Sequence, residues 1–493
     1  MVIRRRRIVA AAATVAVLAV IAFVATRLLG SDGSTGVLVP RVEGTTSDAL
    51  AYDDSQDEDL ERAAAFGLSH ALYAKSPGGV FATAERTESY RSLVEDAVDG
   101  SGFEADLVEA IVFLESGGRP DVIAGDDPAA ASGLTQILAE TGQSFLGMDL
   151  DLEETRRLTV EIAGAVERGE VAEAERLRER RLAIDTRFDP EQALAGTVRY
   201  LTTARERLGR DDLAVVSYHM GIGNLANVLR AYAPGSDLSV PDLVEEQGLS
   251  WARVFFDTTP DRNGEAHALL ARLGDDSPTY YWRVLAAQEI IRLYREDRDR
   301  LQELDLLHAA KDSAEEALHP SFETERFADA TDLQRAWDEN VLQPLPDDSI
   351  SLGFEVDPTM GELAPRLGQP SELYRGLSAE ALATLVYIGT RDQALSAAAR
   401  PLEVTSSVRD DAYQELLRKG NREAAQGYSL HTTGFAFDVR RRYESGAQAQ
   451  AFQFLLDDLT ARNLIAWVRE PAAIHITVSD EAEALVPLLL EES

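Results

Sequence analysis

Cysteine is absent from the 493 residues of this chain. Disulfide bonds, thiolate metal sites and anchoring through a lipidated cysteine are therefore excluded. Histidine is scarce as well. The chain has seven, so the place of each along the sequence is informative.

Positively charged residues are far fewer than negatively charged ones. Lys and Arg number 48 against 85 Asp and Glu, which gives a formal net charge of -37 at pH 7. A nucleic-acid partner is excluded because a polyanion would be repelled and no basic stripe offsets the repulsion. The same charge disfavours passive adsorption to an anionic surface, so a protein acting there needs a tether.

The N-terminal segment has the pattern of such a tether. A basic run at residues 4–7 precedes residues 8–26, which contain neither a charge nor a proline. That length is just enough to cross a bilayer as a helix. The flanking charges predict a single-pass cell-membrane protein with its N-terminus in the cytoplasm and the rest of the chain outside. A cleaved signal peptide is the alternative.

The rest of the chain predicts a multidomain protein, because its length exceeds what one hydrophobic core usually organises. Apolar residues recur at helical spacing in residues 107–114, whereas residues 402–406, 435–439 and 474–478 have strand character. We expect a transmembrane helix, an all-α domain and a smaller α+β domain. The expected boundaries are 1–29 for the basic run and anchor, 30–87 for a flexible acidic stalk, 88–319 for the helical domain, 320–348 for a linker and 349–493 for the α+β domain.

Three short segments of the helical region are candidates for one site. Glu115 and Ser116 end an apolar helix, where burial would raise the pKa of a carboxyl group as a general acid requires. Residues 133–137 read Gly-Leu-Thr-Gln-Ile, and residues 214–224 contain Ser-Tyr-His-Met-Gly-Ile-Gly. In this order the segments resemble the soluble lytic transglycosylase and goose-type lysozyme family over roughly residues 103–229.

The resemblance implies a lysozyme-like fold and cleavage of the bond between N-acetylmuramic acid and N-acetylglucosamine in peptidoglycan. Glu115 would act first as acid and then as base, giving a 1,6-anhydro end, while Ser116 and Gln136 would shape the cleft and Tyr218 would lie near Glu115. His219 stands where the family has asparagine. A true lysozyme would need a second carboxylate, for which Asp126 or Asp127 is available.

Aromatic residues follow this region at positions 280–282, where the sequence reads Tyr-Tyr-Trp. Their faces could stack on sugar rings and extend a glycan groove, or they could pack into the core of the helical domain.

The α+β region contains a histidine–aspartate–histidine set. His431 and Asp438 flank a glycine turn, and His475 lies in a later apolar strand. Two imidazoles and one carboxylate leave a fourth position open on tetrahedral Zn2+, as a catalytic site needs. A hydrogen-bonded core histidine is the alternative for either imidazole alone.

The segments around these residues resemble the zinc D-alanyl-D-alanine carboxypeptidase and dipeptidase group. Its serine-x-histidine and glycine-x-alanine-x-aspartate pattern matches residues 429–438, and the resemblance covers roughly residues 382–478. It implies that His431, Asp438 and His475 hold zinc, whose bound water attacks a stem peptide. Arg409 would bind a peptide carboxylate or the developing oxyanion. The family's acidic base position is occupied by Ala472, so the base role falls to Glu470.

Together the two resemblances imply a bifunctional bacterial cell-wall enzyme. Two alternatives remain: a wall-binding scaffold with one or both sites degenerate, and a transglycosylase whose C-terminal domain is not catalytic.

Overall fold

The computed structural model describes residues 37–40, 48–419 and 427–491. Helices dominate the first three hundred described positions. In chain order they are α1 (Asp57–Gly67), α2 (His70–Lys75), α3 (Val80–Glu88), α4 (Arg91–Val98), α5 (Ala105–Ser116), α6 (Leu152–Glu167), α7 (Val171–Leu182), α8 (Pro190–Leu208), α9 (Asp211–Met220), α10 (Ile222–Tyr232), α11 (Val240–Gln247), α12 (Trp251–Phe256), α13 (Gly264–Leu273), α14 (Tyr280–Glu296) and α15 (Arg298–Ala309).

The second part of the chain mixes helices with strands. Its helices are α16 (Glu315–Leu318), α17 (Ala330–Asp338), α18 (Ala379–Ser396), α19 (Asp411–Arg418) and α20 (Gly446–Ala461). The strands of the whole described chain are β1 (Leu38–Pro40), β2 (Gln343–Pro344), β3 (Phe354–Val356), β4 (Gly376–Leu377), β5 (Leu402–Ser406), β6 (Ala436–Arg440), β7 (Ile465–Arg469), β8 (Ala473–Val478) and β9 (Leu489–Glu491).

The helical part is built around α5, whose central turns are almost wholly apolar. Its residues Val108, Ala110, Ile111 and Val112 are fully buried, and α14 and α4 pack against this helix. Burial on nearly every face marks α5 as the central element of the bundle. The α6–α7 pair packs on a small core of its own, so the charged segment at residues 152–182 is a helical hairpin.

The sheet part is a five-stranded sheet with strand order β3-β5-β6-β8-β7. Strands β5, β6, β8 and β7 are antiparallel neighbours, whereas β3 runs parallel to β5. Helices α18 and α20 cover the sheet and share its apolar core with Phe437 and Ile476. The strands predicted at 402–406, 435–439 and 474–478 are confirmed as β5, β6 and β8, with bounds that agree to within one residue.

The expectation of a membrane-spanning helix, and with it of a single-pass membrane protein, is corrected. Within the described parts of the chain, every helix is too short or too polar to cross a bilayer. Residues 8–26, on which the expectation rested, lie outside the described residues.

The expected flexible stalk at residues 30–87 is also wrong from residue 54 onward. Helices α1 to α3 occupy this stretch, and Ala64, Val80 and Ala84 are fully buried in the helical core. The acidic composition misled the prediction because the charges lie on the outer faces of helices whose inner faces are apolar. Strand β1, also inside the predicted stalk, pairs with β9.

The expected linker at residues 320–348 is folded as well. It contains α17 and β2, and Leu333, Ala336 and Leu342 are buried in a cluster with Tyr374 and Tyr413. This segment therefore belongs to the sheet part of the molecule.

Candidate functional sites

Glu115 lies in the last turn of α5, which Gly117 ends with a left-handed conformation (φ 60°). Part of the residue reaches solvent, but its carboxyl group lies among densely packed neighbours. This burial raises the pKa of Glu115 to about 7, although the Tyr280 hydroxyl and the Arg283 guanidinium oppose the shift. The carboxyl group is therefore poised to exchange a proton near neutral pH.

The side chain of Glu115 is held by Tyr280, whose hydroxyl donates a hydrogen bond of 2.7 Å to Oε1. Tyr280 is buried at the start of α14, and Tyr218 and His219 stack against its ring. The predicted neighbour Tyr218 thus joins the Glu115 cluster through Tyr280. Within the aromatic run at 280–282, Trp282 is fully buried and packs in the core. Tyr280 is the hydrogen-bond donor to Glu115.

Gln136 lies in a tight loop and adopts a left-handed conformation (φ 53°). Its side-chain amide donates to the backbone oxygens of Val122 and Gly133, at 3.0 and 2.8 Å. A Cβ at Gly133 would lie 1.8 Å from the carbonyl oxygen of Arg187, so only glycine fits there. Gln136 therefore holds together the loop at residues 122–136.

Ser116 is buried, and its hydroxyl bonds the oxygen of Val112 and the amide of Arg119. It stabilises the turn after α5. Asp126 and Asp127 are exposed, and Asp127 pairs with Arg156 at 2.9 Å. The pair offered as a second carboxylate is thus solvated, and one of its members is engaged with an arginine.

The second site lies where β6 and β8 run side by side. Asp438 and His475 are direct partners in the register of these antiparallel strands, so their side chains project from the same face of the sheet. His431 comes from a short 3-10 turn at Leu430–Thr433 that Gly434 ends with φ 85°. A Cβ at Gly434 would lie 2.8 Å from Leu342 Cδ2.

His431, Asp438 and His475 are all buried and form a group that can hold a metal ion, with one ligand atom from each lying within 4.8 Å of the others. Asp438 Oδ1 lies 3.2 Å from His431 Nε2 and 2.9 Å from His475 Nδ1. The Nδ1 of His431 lies 2.7 Å from the oxygen of Ser407, an acceptor that assigns the proton to Nδ1 and leaves the Nε2 lone pair facing the group. The donor set therefore fits a metal.

Two of the three members, His431 and Asp438, are in the protonation state that a metal ligand needs. Burial, aided by the nearby Arg409 cation, lowers the pKa of His431 to about 4, so the ring is neutral as a ligand must be. Burial alone would raise the pKa of Asp438, but the two imidazoles outweigh it and hold that pKa well below its usual range. Burial likewise opposes a charge on His475, yet hydrogen bonds to Asp438 and Glu315 raise its pKa to about 10. This histidine would release its Nδ1 proton on binding a metal.

Arg409 and Glu470 line the same cavity as the three ligands, a space of about 530 Å³. Arg409 donates to Ser406 Oγ at 2.5 Å, to Gln414 Oε1 at 2.9 Å and to Asp438 Oδ2 at 3.4 Å. These contacts fix the guanidinium beside the ligand group. Glu470 follows β7 in the turn towards β8.

Sequence reasoning missed Glu315 and the Tyr280–Glu115 hydrogen bond. Glu315 lies 160 positions before His475, and its Oε2 is 3.3 Å from the Nε2 of that histidine. Neither contact has a local signal, because Glu315 and Tyr280 reach their partners only through the packing of distant helices.

Comparison of the chain with protein-family models and with curated proteins gives no match. The resemblance to the two enzyme families therefore rests on the short sequence motifs alone.

Proposed function

We propose that the chain is a peptidoglycan-degrading enzyme with two active sites, one at Glu115 and one at a zinc centre of His431, Asp438 and His475. The observation that carries the proposal is the convergence of three buried ligand atoms within 4.8 Å of one another. Two imidazoles and a carboxylate are a donor set that zinc favours, with a fourth position left for chemistry.

The glycan site would work with a single carboxyl group. Glu115, protonated near neutral pH, gives its proton to the glycosidic oxygen as the bond from that oxygen to C1 of the muramyl residue breaks. The resulting carboxylate then takes the proton of the C6 hydroxyl of the same muramyl residue. At the same time the C6 oxygen bonds to C1 and closes a 1,6-anhydro ring. Glu115 ends as it began, so water and a second carboxylate are not required.

The pKa of about 7 at Glu115 supports this cycle, because a group that both gives and takes a proton works best near the ambient pH. The ion pair of Asp127 with Arg156 supports it too, since it engages one of the two carboxylates that a lysozyme mechanism would use.

The peptide site would take its substrate in the cavity beside the ligand group. When bound, zinc would activate water and polarise the peptide carbonyl. Arg409 would bind a peptide carboxylate or the negative charge that develops on the carbonyl oxygen. Glu470, in the wall of the same cavity, would receive the proton lost by the attacking water.

Digestion of purified peptidoglycan, followed by mass spectrometry of the products, tests both activities. Wild type should give anhydro-muropeptides and shortened stem peptides. Glu115→Gln should lose only the first product and His431→Ala only the second, while Asp127→Asn, a change at an exposed carboxylate, should retain both.

The outcomes separate the alternatives. Absence of both products from wild-type digests would leave a wall-binding scaffold as the function. Anhydro products without shortened stems would indicate a transglycosylase with a non-catalytic C-terminal part, and reducing ends in place of anhydro ends would indicate a lysozyme.

A further inference from the structure

The segment that joins the helical part to the sheet part lies directly against the metal-ligand group. Glu315 begins the short helix α16 and is 4% exposed. Lys311 forms an ion pair with one of its carboxylate oxygens, and Ser313 Oγ lies 3.4 Å from the other. The Glu315 side chain is thus buried with its carboxylate fixed in place.

Contacts farther along hold the segment to the sheet. His319 Nε2 lies 2.6 Å from the oxygen of Val478, at the end of β8, and the His319 ring stacks on Phe435 at 4.3 Å. The amide of Phe327 donates to the oxygen of Thr432, next to His431. Glu315 is therefore presented to the ligand group by a segment that is bonded to the sheet beyond it.

His475 has a different partner at each ring nitrogen. Its Nδ1 faces Asp438 Oδ1 at 2.9 Å, whereas its Nε2 lies 3.3 Å from Glu315 Oε2 and 3.3 Å from Thr477 Oγ1. The two nitrogens of an imidazole point in divergent directions. A metal bound at Nδ1 would therefore lie on the far side of the ring from Glu315.

We propose that Glu315 is a positioning residue of the metal centre, which accepts a hydrogen bond from Nε2–H of His475 and so leaves Nδ1 free to bind zinc. This inference rests on the proposed zinc site. A carboxylate behind a metal-bound histidine fixes the tautomer and orientation of the ring and strengthens the ligand. The metal centre thereby includes a residue from outside the predicted 349–493 domain.

The same geometry separates Glu315 from the catalytic base. Glu315 approaches the nitrogen that points away from Asp438, so it acts on the metal through the imidazole. His431 has the matching arrangement with a neutral acceptor, the Ser407 oxygen at 2.7 Å from Nδ1. Each histidine is thus held at the nitrogen that does not face the group.

Zinc affinity of the full chain, measured by competition with a chromogenic chelator, tests the proposal. Glu315→Ala should bind Zn2+ roughly 10- to 100-fold more weakly than wild type. Glu315→Gln should lie between the two, because its amide oxygen accepts the same hydrogen bond without the charge. Glu316→Ala is the matched control and should bind zinc as wild type does, since Glu316 is the adjacent carboxylate and pairs with Lys311 at 3.7 Å instead of with His475.

A second readout distinguishes positioning from a general effect on folding. The absorption spectrum of the Co2+-loaded protein reports ligand geometry, and it should shift in Glu315→Ala and stay unchanged in Glu316→Ala. The melting temperature of each metal-free variant reports folding separately. If Glu315→Ala fails to fold, the affinity of Glu315→Gln decides the matter.

Wild-type zinc affinity in Glu315→Gln, or in a folded Glu315→Ala with an unshifted Co2+ spectrum, would overturn the positioning role. Failure of the zinc site itself has a different signature. In that case wild type binds no zinc, or His431→Ala binds it as tightly as wild type, whatever the residue at position 315.

Discussion

Glu115 is held at the end of a helix by a tyrosine 165 positions away, whereas Asp438 and His475 face each other as partners on neighbouring strands. The first site depends on how α5 and α14 pack, since their contact brings Tyr280 to the carboxyl group. The second site depends on the register of β6 and β8. A slip of one residue would turn Asp438 or His475 to the other face of the sheet and destroy the group.

The two regions also use burial in opposite ways. Around Glu115, burial favours the neutral acid and raises the pKa to about 7. At Asp438, the two imidazoles outweigh burial, and the carboxylate stays charged. A buried carboxyl group thus exchanges its proton near neutral pH where a tyrosine hydroxyl is its partner, and it stays ionised where two histidines are its partners.

Metal removal should have the largest effect and should divide the two regions completely. Dialysis against a chelator should abolish release of shortened stem peptides, because the peptide site loses the ion that its ligands hold. Release of anhydro-muropeptides should continue at the wild-type rate, and zinc should restore the peptide products. Peptide cleavage that persists in metal-free protein would show that the peptide site does not depend on a metal.

Glu115→Gln should lower the rate of glycan cleavage by roughly 10²- to 10⁴-fold, because the amide can neither give nor take the required proton. Zinc content should stay as in wild type. The rate is measured from the release of soluble muropeptides. A comparable loss in Asp127→Asn would instead assign that residue as a second catalytic carboxylate.

The pH dependence of glycan cleavage should follow the pKa of Glu115. Only the protonated carboxyl group can start the reaction, so the rate should be lost as pH rises through about 7. Well above that value the decline should approach about tenfold per pH unit. Initial rates between pH 5 and pH 9 would show the decline. A flat profile across that range would exclude Glu115 as the acid.

Tyr280→Phe should have the smallest effect: it should shift the pH at which the rate of glycan cleavage declines. The tyrosine hydroxyl stabilises the ionised carboxylate, and without it the pKa of Glu115 should rise. The alkaline limb of the glycan rate should therefore move to higher pH, while peptide cleavage stays unchanged. An unmoved limb would show that the hydrogen bond has no part in setting the acidity of Glu115.

Local patterns in the sequence were enough to place individual elements. The apolar spacing at residues 107–114 lies within α5, and the predicted strand at residues 402–406 matches β5. The motifs predict that His431, Asp438 and His475 share one site, and the structure brings these three residues into one group. These features are predictable for one reason: the spacing of apolar residues and the residue types of turns depend on neighbouring positions in the chain.

What the sequence did not yield depends on distant packing. Tyr280 and Glu315 reach their partners through α14 and α16, and the spacing along the chain gives no sign of either contact. The stalk and linker predictions were wrong for a related reason. The acidic side chains of α1 lie on its outer face, while Ala64 is buried beneath them. The proline cluster at residues 344–346 follows α17, whose Leu333 is also buried.

Zinc content tests the central claim most directly. Purified wild type and Asp438→Asn are dialysed against metal-free buffer after loading, and bound zinc is measured by plasma mass spectrometry. The account predicts stoichiometric zinc in wild type and a loss of zinc in Asp438→Asn, because the removed charge sits between both histidines. Wild type without zinc, or Asp438→Asn with the full amount, would contradict it.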